Sequence, residues 1–355
     1  MNNHIQFPGL GLDFSVPETA FTVFGLEIKW YGIILTTGIL LSFLLFYYLA
    51  VKKELIDADT VYNITLLILP IAIFGARFVY VVTEWENRFK GKGFINMINI
   101  RQGGIAIYGA IIFGLATVLI YNKIKKRSSL AMLDALAPAV MLGQVIGRWG
   151  NFVNAEAYGW SEGVEKLPWR MVLDYYVIDG VKNPSGVTCV HPTFIYESLW
   201  NLIGLAIIMF VLYRKKKFNG EIFFAYMGWY GLGRAYIETL RADSLYIIPG
   251  KLKFSVFVGI VCVIAAIIGT IVLYRRHKEE AGEMENYESA FATVKIAMGE
   301  SDALDQSVFE TGESEECEEA EQELDENEEL DNIEENETES LNELDSLDGD
   351  KEDEE

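Results

Sequence analysis

Long apolar stretches follow one another along the first 278 positions of this chain of 355 residues. A helix needs roughly 20 predominantly apolar residues to cross about 30 Å of hydrocarbon, because its backbone amides must all be paired within the segment. The pattern therefore predicts an all-α membrane protein with seven transmembrane helices. The predicted spans are about 28–51, 61–82, 104–121, 130–149, 199–213 with a lead-in from 194, 222–240 and 254–274.

Clusters of lysine and arginine alternate with the spans and predict their orientation. They follow the first, third, fifth and seventh spans, at positions 52–53, 123–127, 214–217 and 275–278. Such clusters concentrate on the cytoplasmic side of a membrane. We therefore expect the N-terminus outside the cell and the C-terminus in the cytoplasm.

The last part of the chain has a different composition. Positions 279–355 hold 33 Asp and Glu but two Lys, so the overall net charge of −22 conceals a charge of +9 on positions 1–278. A segment with so little apolar surface cannot offset the entropy lost on ordering. We predict a seven-span membrane domain at 1–278 and a disordered acidic cytoplasmic tail at 279–355, in which a short helix between Tyr287 and Met298 is compatible with the sequence.

Cysteine and histidine are too scattered to predict a disulfide or a metal site. The three cysteines fall in a predicted loop, an apolar segment and the tail, at Cys189, Cys262 and Cys317. The three histidines also lie far apart along the chain, at His4, His191 and His277. We therefore expect no structural disulfide, no metal and no cofactor.

Polar side chains gather near the outer ends of the predicted spans. Arg234, Glu238 and Arg241 stand at i, i+4 and i+7 in the sixth span and therefore share one helical face. Four arginines at this depth face about two carboxylates, which predicts an electropositive pocket. The side chains that meet there are Tyr31, Arg77, Tyr80, Tyr108, Arg148, His191, Glu197, Arg234, Glu238 and Arg241.

Simpler roles remain open for single members of this group. Arg241 could anchor its helix at the membrane surface, and Arg234 with Glu238 could be a structural pair. These roles explain poorly why all the arginines lie near one side of the membrane. Close helix packing or helix capping is a further simple role for Gly143, Gly147, Asn151 and Asn154.

The chemistry of guanidinium narrows the ligand of such a pocket. Guanidinium groups hold phosphate or carboxylate through bidentate, permanently charged contacts, and phospholipid headgroups lie at this depth. The sequence therefore indicates a site for an anionic lipid. The main alternative, a transporter or channel for an anionic solute, requires polar groups along the inner half of the spans, where Asp134 is one of few. A lipid-dependent receptor or scaffold recruited through the tail is a third alternative.

Six motifs make the sequence resemble a known family. The stretch GRWGNFVNAEAYG at 147–159 resembles the signature of the bacterial prolipoprotein diacylglyceryl transferases. Five further pieces that resemble the family occur in the expected order. They are WYGI at 30–33, GARFVYV at 75–81, QGGIAIYG at 102–109, HPTFIYE at 191–197 and GLGRAYIETLR at 231–241.

The resemblance implies a function and partners. It implies a seven-span enzyme of the bacterial plasma membrane that moves the diacylglyceryl group of phosphatidylglycerol to the lipobox cysteine of a prolipoprotein signal peptide. The products are a thioether and glycerol phosphate. Nucleic acid and a cofactor are not expected. The nucleophile is then the substrate's cysteine, and Cys189 and Cys262 are expected to be inert.

Carried over by position, the resemblance also implies site residues. Arg148 and Arg234 are expected to hold the phosphate, and Glu238 to orient them as part of the catalytic set. Tyr108 is a candidate acid or base, although many members of the family have histidine at this position. Among substrate-binding residues the resemblance implies Tyr31, Asn151, Glu156 and Gly159, and the set expected from the sequence as a whole also includes Arg77, Asn154 and Arg241.

Overall fold

A computed structural model describes residues 2–100, 103–173, 176–178, 181–183, 188–242, 246–248 and 252–297 of the chain. The chain divides into two units, Met1–Lys278 and Glu279–Glu355. The described part is mostly helical. Its α-helices are α1 Trp30–Lys52, α2 Ala58–Thr83, α3 Phe94–Ile98, α4 Ile107–Ile124, α5 Ser129–Asn154, α6 Thr193–Ile207, α7 Glu221–Leu240 and α8 Phe254–Ala297.

Within the described residues, six helices are long and apolar enough to cross a membrane. They are α1, α2, α4, α5, α6 with its π-helical extension Ile208–Leu212, and α8. The seventh predicted span forms α7, whose 20 residues reach the required length but carry Glu221, Arg234 and Glu238. With α7 outside the apolar set, the six helices confirm the coarser prediction of a helical multi-pass membrane protein.

Short strands, which the sequence reading did not predict, accompany the helices. β1 Asn2–Phe7, β2 Leu12–Pro17, β5 Met171–Leu173 and β8 Thr188–Val190 form an antiparallel sheet in the order β2-β1-β5-β8. Ile5 and Phe7 of β1 pack in its core. The remaining strands form two-stranded sheets: β3 Thr19–Val23 with β4 Leu26–Lys29, β6 Tyr176–Ile178 with β7 Val181–Asn183, and β9 Tyr246–Ile248 with β10 Leu252–Lys253.

Helix α5 occupies the centre of the membrane unit and contacts α1, α4, α6 and α7. Small residues allow close approach at one of these contacts. A Cβ at Gly143 would lie 2.9 Å from Ser42 Oγ on α1, so a larger residue would push the two helices apart. The sheet joins the same helix, because buried Asn3 donates a hydrogen bond to the carbonyl of Val153 at 2.6 Å.

A buried lysine cluster, formed by Glu54, Asp134 and Lys216, ties four helices together where α5 and α7 begin. Lys216 Nζ lies 2.8 Å from Asp134 Oδ2 and also contacts Glu54. Asp134 is fully buried and accepts hydrogen bonds from the backbone amides of Gly220 at 2.7 Å and Phe223 at 2.8 Å. The first turn of α7 is therefore fixed to α5 by charge-assisted hydrogen bonds.

Helix α8 continues into the acidic part of the chain. It runs to Ala297 without interruption, so the predicted disorder of the tail is wrong for residues 279–297. The reason is local, since this segment lacks proline and is rich in glutamate and alanine, which are good helix formers. The short helix expected between Tyr287 and Met298 is the end of α8. The rest of the tail lies outside the described residues.

Candidate active site

Five charged side chains from three chain segments form one arginine cluster, defined as Arg148, Glu197, Arg234, Glu238 and Arg241. Arg148 lies in the last turns of α5, and Glu197 in the first turns of α6. Arg234 and Glu238 lie in the last turns of α7, and Arg241 directly follows that helix. The cluster forms because α5 and α7 end at the level where α6 begins.

Glu197 is the central carboxylate of the arginine cluster. Its side chain is 4% exposed and contacts Arg148 through Oε2. Arg234 Nη1 lies 3.2 Å from the same oxygen, and Arg241 Nη1 lies 3.6 Å from Oε1. One carboxylate thus holds three guanidinium groups together.

Glu238 supplies the second negative charge. Its Oε2 lies 2.7 Å from Arg234 Nη2 and 3.8 Å from Arg241 Nε, so the ion pair predicted from the i, i+4 spacing is present. Three arginines and two glutamates leave the cluster with one excess positive charge. This excess positive charge favours the binding of an anion.

The signature segment turns back on the end of α5 and orders Arg148. Asn151 and Asn154 each donate a side-chain hydrogen bond to Glu156 Oε1 at 3.2 Å. Arg148 Nη1 donates to Asn151 Oδ1 at 3.4 Å. The turn is made by Ala155, whose φ of 50° is left-handed and ends the helix. The two asparagines therefore hold Glu156 in place, in addition to any role in capping.

Tyr31 brings α1 to this site. Its ring packs on Gly150, where a Cβ would come within 2.7 Å of Tyr31 Cδ2. It also interacts electrostatically with Glu156 and Arg148. Gly150 is thus needed for the close approach of α1 and α5 that places the phenol beside the arginine cluster.

Gly159 connects the two helices that carry the glutamates. It exchanges backbone hydrogen bonds with His191 at 2.8 and 3.0 Å, just before α6, and forms a bridge with Arg241, just after α7. A Cβ at Gly159 would lie 2.8 Å from the carbonyl oxygen of Leu240. Glycine is required because the chain passes between two backbones here.

Tyr108 lies at the edge of the arginine cluster. Its hydroxyl group lies 3.1 Å from Ser255 Oγ, and its ring packs edge-on against Phe254. It interacts electrostatically with Tyr230, which in turn interacts with Arg234. The hydroxyl group of Tyr108 is therefore near the cluster but paired with α8.

Arg77 does not join the arginine cluster, contrary to the prediction. Its side chain donates to the carbonyls of Asn96, Met97, Gly103 and Gly104 at 2.7–2.9 Å. Its guanidinium also lies over the rings of Tyr80 and Phe89. These contacts use its hydrogen-bonding capacity to order the loop between α2 and α4, so the geometry gives Arg77 a structural role.

A second polar chain surrounds His191. Its Nε2 lies 2.7 Å from Ser161 Oγ and its Nδ1 lies 3.2 Å from the hydroxyl group of Tyr196. Trp169 donates to that hydroxyl group at 2.7 Å, so Ser161, His191, Tyr196 and Trp169 form one hydrogen-bonded chain. Burial lowers the pKa of His191 below its usual value. This lowering favours the neutral imidazole, which links Ser161 to Tyr196.

The chain was also compared with known proteins. The family model for prolipoprotein diacylglyceryl transferase matches residues 18–272. A phosphatidylglycerol–prolipoprotein diacylglyceryl transferase of Finegoldia magna is 45% identical over 251 residues, which cover 71% of this chain and 93% of the relative. Proteins of the same name from Lysinibacillus sphaericus and Clostridioides difficile are 42% and 38% identical, covering 73% and 75% of this chain and 92% and 99% of the relatives.

Proposed function

This chain belongs to the prolipoprotein diacylglyceryl transferase family, and we propose that it transfers the diacylglyceryl group of phosphatidylglycerol to the lipobox cysteine of prolipoproteins. The reaction takes place at the outer leaflet of the bacterial plasma membrane. The finer topology belongs to this proposal: seven spans including α7, an external N-terminus, a membrane catalytic domain at 1–278 and an acidic cytoplasmic tail.

The arginine cluster is the main support for this proposal, because its positive charge can stabilise the negative charge of the phosphate that leaves in the reaction. The sulfur of the substrate cysteine attacks the carbon of the diacylglyceryl group that is bonded to a phosphate oxygen, and a carbon–sulfur bond forms. The carbon–oxygen bond breaks, and its electron pair leaves with glycerol phosphate. The thiol proton is lost before attack, either to the solvent or to the departing phosphate. Fixed positive charge stabilises the leaving group and raises the thiolate fraction of a thiol whose ordinary pKa is about 8.5.

Within the cluster, we assign Arg148 and Arg234 to the phosphate. Arg148 is 21% exposed and contacts Glu197 and Asn151, and Arg234 is 15% exposed between two carboxylates. Glu238 orients Arg234, and Arg241 adds positive charge beside Glu197 and Glu238. When the phosphate binds, Arg148 and Arg234 give up part of their contact with Glu197 and contact the phosphate instead.

The signature segment and α1 position the headgroup. Asn151 and Tyr31 adjoin Arg148 and can donate hydrogen bonds to the glycerol and phosphate oxygens. Glu156, held by Asn151 and Asn154, orients this edge of the site. Gly159 holds the beginning of α6 and the end of α7 together through its backbone contacts with His191 and Arg241.

Tyr108 contacts Ser255 through its hydroxyl group at 3.1 Å. Tyrosine has an ordinary pKa of about 10 and is a poor base near neutrality. We therefore propose that Tyr108 positions the substrate, and that the thiol proton does not require it. Replacement by phenylalanine tests this assignment, because retained turnover would exclude chemistry at the hydroxyl group.

The lysine cluster argues against the transporter alternative. A conducting path needs polar groups that an ion can contact along the inner half of the spans. In the described part of the chain, Asp134 is such a group, but it is fully buried and bonded to Lys216 and to two backbone amides. It is not available to a passing solute.

A peptide lipidation assay tests the proposed function. Purified protein, phosphatidylglycerol and a lipobox peptide should yield a peptide heavier by one diacylglyceryl group, and a peptide with serine in place of cysteine should remain unmodified. Arg148→Ala should abolish product, whereas Arg88→Ala, which removes an arginine that is 66% exposed, should not. An Arg148→Ala protein that folds and turns over at the wild-type rate would contradict the mechanism.

A further inference from the structure

We propose that Gln144 on α5 and Tyr226 on α7 form a second subsite, which binds an ester carbonyl of the diacylglyceryl group. The inference rests on the proposed function and extends it from the headgroup to the glycerol backbone. It names two polar residues that the phosphate chemistry does not use.

The two residues continue the faces that carry the arginine cluster. Gln144 and Arg148 are one turn apart on α5, and Tyr226, Tyr230 and Arg234 follow at four-residue steps on α7. Gln144 Nε2 lies 2.9 Å from the hydroxyl oxygen of Tyr226. The rings of Tyr226 and Tyr230 stack with centroids 5.9 Å apart. A polar seam therefore extends from the arginine cluster into the apolar part of the helices.

This pair has more hydrogen-bond donors than it uses. The carboxamide carries two N–H groups and the tyrosine one O–H group, and a single hydrogen bond joins them. In the described structure Gln144 Oε1 is buried without a hydrogen-bond partner. A half-turn of the amide places Oε1 against the tyrosine proton and frees both N–H groups. In either arrangement two donors remain for a ligand acceptor.

Unused donors are costly where water is excluded, and the acceptors that a phospholipid supplies below its phosphate are its ester carbonyls. The depth agrees with this assignment. Gln144 precedes Arg148 by four residues, which corresponds to about 6 Å along a helix. The ester groups of a glycerophospholipid lie at about that distance from its phosphate.

The helix face beside Gln144 also has room for a lipid. A Cβ at Gly147 would meet nothing within 4 Å, whereas a Cβ at Gly143 would meet Ser42 at 2.9 Å. The two glycines, which both fit close packing by sequence, thus have different surroundings. Gly143 packs against α1, whereas a side chain at Gly147, one turn further along α5 and one turn after Gln144, would enter open space.

Ester-linked and ether-linked phosphatidylglycerol with the same chains test the proposal, because the ether lipid lacks the carbonyls. The wild type should use the ester lipid with a kcat/KM about fivefold higher, which corresponds to about 1 kcal/mol for one neutral hydrogen bond. Gln144→Leu removes the amide donors that are free in both arrangements, so it should lower the ratio of ester to ether kcat/KM to about one. Tyr236→Phe, at a tyrosine of α7 that is 74% exposed, should keep the ratio.

A second variant tests whether the lipid occupies the open space beside Gly147. Gly147→Leu should fold with unchanged melting temperature but lose most activity with both lipids, because its side chain occupies the lipid's position. Equal use of both lipids by the wild type would overturn the inference, as would a Gln144→Leu protein that keeps the ratio or loses activity equally with both lipids. If the wild type forms no product with the ester lipid and none with the ether lipid, the proposed function itself is refuted.

Discussion

Glu197→Gln tests the arginine cluster most directly, because it removes one charge and keeps the side-chain volume. Glu197 contacts Arg148, Arg234 and Arg241 and is 4% exposed. Without its charge, the cluster changes from one excess positive charge to two. Glu238 then remains against Arg234 and Arg241, and Arg148 loses its ion pair with Glu197.

The size of the effect follows from burial. Removing one partner of a buried ion pair typically costs about 3–5 kcal/mol, because the remaining charge stays in a poorly solvated place. The contact of Glu238 with Arg234 at 2.7 Å is kept, and a glutamine oxygen can still accept one hydrogen bond. We therefore expect a loss of about 3 kcal/mol in the free energy of unfolding.

The assay combines thermal unfolding in detergent with peptide lipidation. Phosphatidylglycerol should stabilise Glu197→Gln more than the wild type, because its phosphate supplies the missing negative charge. KM for phosphatidylglycerol should not rise, while kcat should fall by at least about tenfold, since misplacing one charge-stabilising group costs that much or more.

The matched control is Glu84→Gln, which removes a carboxylate from an exposed pair 3.6 Å from Arg88. It should change stability by less than about 1 kcal/mol and leave turnover unchanged. Wild-type stability and turnover in Glu197→Gln would refute the central role of this carboxylate. Equal stabilisation of both proteins by phosphatidylglycerol would refute phosphate binding beside it.

Three further substitutions or conditions have defined outcomes. Gly159→Ala should lower melting temperature and turnover together, because its Cβ would lie 2.8 Å from the backbone of Leu240; an unchanged enzyme would contradict the close approach. Lys216→Met should cost about 3–5 kcal/mol in denaturant unfolding, since Asp134 and its neighbour lose their cation, with KM for lipid unchanged. Burial lowers the pKa of His191, so protonation favours the unfolded chain, and stability should fall as pH drops below about 6.5; His191→Gln should flatten that dependence.

Local spacing and topology sufficed to predict part of the site. Arg234 and Glu238 are one turn apart, so their ion pair follows from helix geometry alone. The meeting of Arg148 with α7 follows from placing both at the same membrane depth. The distance between Arg234 and Glu238 is set by the helix pitch. The depth at which Arg148 meets α7 is set by where the helices end, which the apolar pattern predicts.

The central role of Glu197 and the structural role of Arg77 could not be predicted in this way. Glu197 finds its three partners on segments far away along the chain, and its own neighbours in sequence give no sign of them. Arg77 binds backbone carbonyls, which every residue possesses. An arginine bound to carbonyls and one bound to a ligand therefore have the same sequence pattern.

The sheet shows a similar limit. Ile5 and Phe7 alternate with His4 and Gln6, which is a strand pattern, but the segment is too short to stand out beside the long apolar stretches. Its partners include β5, which lies beyond α5 in the sequence. Pairing over such separations is set by tertiary packing around the end of α5.

The two charged clusters explain why the site serves one side of the membrane. At the beginning of α5, two carboxylates surround Lys216 and leave one excess negative charge. At the end of α5, three arginines surround two carboxylates and leave one excess positive charge. The excess positive charge therefore attracts an anion to the end of α5 that carries the arginine cluster, whereas the charges of the lysine cluster are paired with one another. In the orientation that we propose, the attractive end faces the outer leaflet, which favours an enzyme that holds a lipid phosphate over a path that conducts an anion.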